Sequence, residues 1–208
     1  MLNLHVRPAI GRVVDPLARA LLRTGVTPNA VTIVGTAGVT AGAFAFYPRG
    51  EFLVGTLVIT AFIFNDMIDG SMARMRGSAS PWGAFLDSTL DRVADASIFT
   101  ALLLWFAGDG DQPALAVATS ICLIGGALVS YIKAKAESLG LRCDVGLVER
   151  AERMLIVLFM TGFDGMGLPY AQAIGLWVLA AGTVVTIWQR FREVRRQIRL
   201  AEPAPGLQ

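Results

Sequence analysis

Residues 65–95 read NDMIDGSMARMRGSASPWGAFLDSTLDRVAD, and their reading decides the fold. They set Asp66, Asp69, Asp87, Asp91 and Asp95 beside apolar runs long enough to cross a bilayer. An ionised carboxylate is strongly disfavoured there and marks a functional site by default. Asp66 and Asp69 are three apart and Asp87 and Asp91 four apart, so on helices each pair shares a face, with Cβ atoms about 5–6 Å apart. The Gly, Ser and Pro of residues 76–81 are turn chemistry, which lets two helices return antiparallel and bring both acidic faces together. The result is a cage of oxygens suited to one or two hard divalent cations. Mg²⁺ is usually held by a few carboxylates plus waters and substrate phosphates, and Mn²⁺ accepts the same ligands. Any one Asp could be a solvated helix-terminal charge; the joint spacing favours a metal site. Asp95 stands two turns from Asp87 and suits a structural role, for instance pairing with Arg92.

Outward from this stretch, 54% hydrophobic residues in a chain of 208 and a mean hydropathy of +0.58 place the protein in the membrane class. Apolar runs over residues 30–47, 51–64, 83–106, 114–132, 154–163 and 171–188 predict six transmembrane helices. Thr27, Pro28 and Asn29 open the first, and Pro48, Arg49 and Gly50 close it. Before them, Ile10, Val13, Val14, Leu17, Leu21 and Leu22 recur at helical spacing among arginines, which predicts an amphipathic helix lying in the membrane interface. Arg7, Arg12, Asp15, Arg19 and Arg23 interrupt any signal-peptide core. The expected fold is therefore an all-α integral membrane protein. Residues 1–26 form a cytoplasmic juxtamembrane helix, 27–199 the six-helix catalytic domain and 200–208 a disordered tail.

Six spans put both termini on one side. With the N-terminus cytoplasmic, Arg49 is the only basic residue outside, as the positive-inside rule requires, and the acidic cluster also faces the cytoplasm. The expected location is a multi-pass protein of the cell membrane, with no nucleic-acid partner. Cys122 in an apolar run and Cys143 in a polar loop suggest neither a disulfide framework nor a zinc site.

The acidic segment can be written Asp66-x2-Asp69-Gly70-x2-Ala73-Arg74-x8-Gly83-x3-Asp87-x3-Asp91, eight fixed positions whose chance occurrence is far below about one in a million. It resembles the signature of the CDP-alcohol phosphotransferase family at every fixed position. The resemblance implies a membrane enzyme of phospholipid biosynthesis that breaks a CDP-linked pyrophosphate, expels CMP and joins the remaining phosphoryl group to an alcohol. It implies two Mg²⁺ ions, with Asp66 and Asp87 touching both, Asp69 the first and Asp91 the second. Asp91 would also take the proton from the acceptor hydroxyl. A carboxylate beside a cation is a weak base, so positioning must compensate. Gly70, lacking a Cβ, would admit the pyrophosphate, and Arg74 would pair with phosphate. By the same resemblance Asn29, Ala30, Val31, Thr32 and Ser80 hold CDP-diacylglycerol, and the enzyme is a homodimer. A stripe of small residues at Gly35, Gly38, Gly42 and Ala45 suits helix packing within or between subunits.

The signature is silent on the acceptor. Ser130, Lys133, Lys135, Arg150, Arg153, Arg195 and Arg196 converge from the ends of three spans, which suits a phosphorylated alcohol; an ordinary basic girdle against anionic lipid explains some of them. The segments SYIKAKAE at 130–137 and ERAER at 149–153 are similar to an actinobacterial branch of the family. That likeness implies transfer of the phosphatidyl group to 1D-myo-inositol 3-phosphate, giving phosphatidylinositol phosphate, with Ser130, Lys135, Arg153 and Arg195 or its neighbour Arg196 on the acceptor's phosphate. Glycerol 3-phosphate is the alternative acceptor. A cation transporter or channel is the alternative class, but it would place polar groups at the midplane of several spans, where this chain is apolar.

Overall fold

A computed structural model of the chain describes residues 14–75 and 80–201, and these form helices and turns with no strand among them. The beginning of the expected amphipathic helix with Ile10 and Val13, most of the expected turn after residue 75, and the tail from residue 202 lie outside the described residues. The helices are α1 (residues 14–23), α2 (Pro28–Phe46), α3 (Phe52–Ile63), α4 (Asn65–Met75), α5 (Pro81–Ala107), α6 (Pro113–Ser138), α7 (Arg150–Gly165) and α8 (Ala171–Ala201). The last continues two residues into the segment expected as a tail. The chain divides within α5 into two compact units, Met1–Ala101 and Leu102–Gln208.

In the first unit the ends of α2 follow from local chemistry. Thr27 is the N-cap, its hydroxyl accepting from Ala30 N at 3.2 Å, and Pro28 supplies a first helical residue that needs no N–H partner. A 3₁₀ turn, Tyr47–Arg49, closes the helix, and Gly50 stops it at φ 73°, the left-handed region glycine enters without strain. Tyr47 is fully buried, its hydroxyl 2.9 Å from that of Thr56. The small-residue stripe works inside the chain: a Cβ on Gly38 would run into the Phe62 ring, one on Gly42 would lie 3.0 Å from Val58, and one on Gly35 3.2 Å from Asn65. Helix α3 therefore seats closely on α2. A one-residue break at Phe64 separates α3 from α4. The apolar face of α1 packs on α4, with Val14, Leu21 and Leu22 around Ala18, Ile68 and Met72. Ser71, also buried, donates to Asp15 Oδ1 at 2.6 Å and ties the same two helices.

In the second unit α6, α7 and α8 enclose Leu115, Ala118, Cys122, Val157, Leu176 and Leu179. Both cysteines are buried free thiols. Among the described residues, four stretches are long and apolar enough to cross a membrane: Pro28–Arg49, Phe52–Met75, Pro113–Ser138 and Ala171–Leu200. Helix α5 has the length, 27 residues, but carries Asp87, Asp91, Arg92 and Asp95, and α7 has only 16 residues. Ile33, Val34, Leu57, Val117, Ile124 and Val184 are each at least half exposed, an apolar exterior that water would not tolerate and lipid does. The chain is an all-helical membrane protein.

The contact at Gly38 gives a test of the packing. Gly38→Ala should overpack the α2 and α3 contact and lose about 1–3 kcal/mol, read as a lower midpoint of thermal unfolding in detergent. An unchanged midpoint would mean that Phe62 has somewhere else to go.

Candidate active site

The acidic residues of the first unit sit on two helices. Asp66 and Asp69 are on α4; Asp87, Asp91 and Asp95 are on the first half of α5. The side chain of Asp66 lies outside the described residues. Asp69 is 6% exposed and accepts from Thr32 Oγ1 at 2.6 Å, the length of a charge-assisted bond. Thr32 stands one turn into α2 and also reaches the Pro28 carbonyl at 3.1 Å. Asp91 lies 3.6 Å from Arg92, whose guanidinium also donates to the Ser88 carbonyl at 2.9 Å. Asp87 is exposed and Asp95 buried. Among the described residues no three carboxylate, imidazole or thiol groups lie close enough to hold a metal ion, a set that lacks the Asp66 side chain. The donors are nonetheless all carboxylate oxygens, the chemistry a hard divalent cation takes.

The residues expected at the nucleotide fall into small groups. Asn29, Ser80 and Gly83 come together: a Cβ on Gly83 would lie 3.1 Å from Ser80 Oγ and 3.4 Å from Asn29 Oδ1. Ser80 caps α5, accepting from Gly83 N at 2.9 Å. Gly70 faces Arg74, whose Nη1 would lie 3.5 Å from a Cβ placed there. Ala30 gives its N–H to the Thr27 cap, and Val31 packs against the Ala18, Ile68 and Met72 cluster. Those two contribute through the helix they build.

The expected acceptor residues are in the second unit. Arg153, in the first turn of α7, is 2% exposed, and Gly126 makes room for it; a Cβ there would lie 3.0 Å from its Cζ. Ser130 Oγ donates to the Gly126 carbonyl one turn back on the same helix at 3.2 Å. Lys135 and Arg195 are exposed near the ends of α6 and α8. Arg196 is engaged by Glu193 through contacts of 2.9 and 2.6 Å, whereas Arg195 makes no ion pair among the described residues. Lys133 turns to Asp144 at 2.7 Å, and that hydrogen bond holds the exposed Asp144 carboxyl below its usual range.

Sequence reasoning missed three contacts: the Thr32 bond to Asp69, the Asp15 bond to Ser71, and the buried Arg190 of α8, which donates to Val129 O, Val145 O and Glu149. The only sequence signal for Arg190 was its place at the head of a run of arginines.

Helical spans with buried carboxylates at Asp69 on α4 and Asp95 on α5 define a membrane protein that keeps acidic side chains out of water. The chain belongs to the CDP-alcohol phosphatidyltransferase family, whose model matches residues 25–188. It is 53% identical over 211 residues to the phosphatidylinositol phosphate synthase of Streptomyces avermitilis, covering 98% of this chain and 86% of the relative. Its fold is similar to the crystal structure of Mycobacterium tuberculosis phosphatidylinositol phosphate synthase with CDP-DAG bound, with a TM-score of 0.85 and 44% identity over 88% of this chain and 94% of that one. The same mycobacterial enzyme in complex with manganese and citrate matches with a TM-score of 0.85 and 44% identity, over 88% of each chain.

Loss of the hydroxyl in Thr32→Val should leave the Asp69 carboxylate short of a donor and lower stability by about 1–3 kcal/mol, while Thr32→Ser keeps most of it. Thermal unfolding of both variants without added metal checks this, and equal midpoints would remove Thr32 as the support of Asp69.

Proposed function

We propose that this protein transfers the phosphatidyl group of CDP-diacylglycerol to a hydroxyl of 1D-myo-inositol 3-phosphate, releasing CMP and giving phosphatidylinositol phosphate. The observation that carries the reading is the intact family motif on α4 and α5, in a chain 53% identical to a phosphatidylinositol phosphate synthase. Arg153, buried where Gly126 leaves room for it, supports a phosphorylated acceptor, since a guanidinium suits phosphate oxygens.

Asp66, Asp69, Asp87 and Asp91 are the residues that would hold divalent metal ions, Mg²⁺ or Mn²⁺. When bound, these ions neutralise charge on the phosphate oxygens and align the groups that exchange at phosphorus. Thr32 orients the Asp69 carboxylate through its hydrogen bond. Asn29, Ser80 and the helix start at Ala30 and Val31 shape the nucleotide end of the donor pocket; Gly70 admits the pyrophosphate beside Arg74. Asp91 receives the proton as the acceptor oxygen forms its bond to the lipid phosphorus and the bond to CMP breaks. Lys135, Arg153 and Arg195, with Ser130, hold the acceptor's own phosphate away from the reacting hydroxyl. With α5 and α7 counted as spans, both termini and the site face the cytoplasm, where nucleotide, metal and inositol phosphate are supplied.

Asp91→Asn should abolish CMP release while the protein still inserts and assembles; near-normal turnover would remove Asp91 from the reaction. Chelation with EDTA should stop release and added Mg²⁺ or Mn²⁺ restore it. Arg153→Gln should raise the acceptor KM much more than the donor KM, as loss of a contact to bound phosphate does; equal effects on both would make Arg153 structural.

A further inference from the structure

Helix α4 carries Asp69, Gly70 and Arg74 but has only 11 residues, and a one-residue break at Phe64 cuts it from α3. A helix that short is marginal by itself, so its neighbours decide how it is turned. Hydrogen bonds hold it from opposite sides. Thr32 of α2 donates to Asp69 Oδ2 at 2.6 Å. Ser71, two residues on and so about 200° round the helix, donates to Asp15 Oδ1 of α1, also at 2.6 Å. Ser71 is 2% exposed, and a bond of that length to a carboxylate is charge-assisted. Asp15 belongs to the docking face of α1. It shares that face with Ala18 and Leu22, three and seven residues further on, which pack with Ile68 and Met72 of α4. Arg19 and Arg23 of the same helix are exposed.

Apolar packing is non-directional and lets a helix turn a little about its axis at small cost; a hydrogen bond between two short side chains does not. We propose that Asp15 is a positioning residue for the acidic site: through Ser71 it fixes the rotation of α4, and with it the aim of Asp69 and the placing of Gly70 and Arg74. Ser71 follows Gly70 directly and Asp69 by two residues, so any turn of the helix at Ser71 moves them with it. With its carboxylate turned to Ser71, Asp15 acts through the helix and is not itself a ligand of metal or substrate. Groups that bind a metal or a phosphate must be held to within about 0.5 Å, so loss of the anchor weakens both kinds of contact. This inference rests on the reading above of α4 as a helix that holds metal and donor.

The test measures metal binding apart from turnover. Mn²⁺ is titrated into full-length protein in detergent and free Mn²⁺ is followed by electron paramagnetic resonance. Asp15→Ala and Ser71→Ala should each weaken binding about fivefold or more. Because the two act as one contact, the double variant should bind no worse than the weaker single variant. Asp15→Asn keeps an oxygen that accepts from Ser71 and should stay within about twofold of wild type. In vesicles at saturating Mn²⁺, Asp15→Ala should raise the KM for CDP-diacylglycerol about threefold or more and leave that for inositol phosphate within about twofold. A merely structural role would lower the midpoint of metal-free thermal unfolding while Mn²⁺ affinity stays unchanged, or would shift both KM values together; either result overturns the proposal. Should Asp15→Ala fail to assemble, Ser71→Ala removes one hydroxyl only and carries the same expectation, an unshifted affinity again overturning it. Wild-type protein that binds Mn²⁺ but releases no CMP with inositol phosphate sinks the functional reading alone, and the Mn²⁺ affinities of the variants still decide the inference. Wild-type protein that binds no Mn²⁺ sinks both.

Discussion

Charge buried beside lipid must find its partner inside the protein, because no water is there to supply one. Each unit of this structure meets that constraint with opposite sign. In the first, Asp69 is 6% exposed and receives the Thr32 hydroxyl at 2.6 Å. In the second, Arg190 is 3% exposed and its three bonds go to two backbone carbonyls and a carboxylate.

The helices are placed to satisfy this constraint. Thr27 and Pro28 fix where α2 starts and so where Thr32 falls, one turn later. Gly35, Gly38 and Gly42 let α3 and the start of α4 come close enough for the Thr32 hydroxyl to reach Asp69. On the far side of α4, Asp15 and Ser71 hold the amphipathic helix against the same segment. Fewer than eight residues of α4 thus receive support from three elements. In the second unit the connection between α6 and α7 is fastened to α8 by Arg190, Thr186 and the Gln197 side chain, which bonds both the N–H and the carbonyl of Arg142.

Local chemistry made much of this legible in the sequence. Helix starts and stops at Thr27, Pro28 and Gly50 are written in residues with fixed backbone preferences, and the acidic motif is written in spacing that only a helix turns into a shared face. The apolar runs gave the membrane class, although α5 and α7 are too charged or too short for composition alone to count them as spans. Contacts across long sequence separations were not legible. Thr32 and Asp69 are 37 residues apart, and Arg190 lies 41 to 61 residues from its acceptors. Periodicity carries no record of such pairings, so Arg190 read as one more basic residue flanking a span.

The central claim is that the chain transfers the phosphatidyl group of a CDP-linked lipid to a phosphorylated inositol. Its most direct test is CMP release by purified protein with CDP-diacylglycerol and Mg²⁺, with inositol phosphate, glycerol 3-phosphate, free inositol and serine supplied in turn. Release with inositol phosphate and not with the others is the expected result. Release driven by glycerol 3-phosphate, or by an acceptor without phosphate, would contradict it.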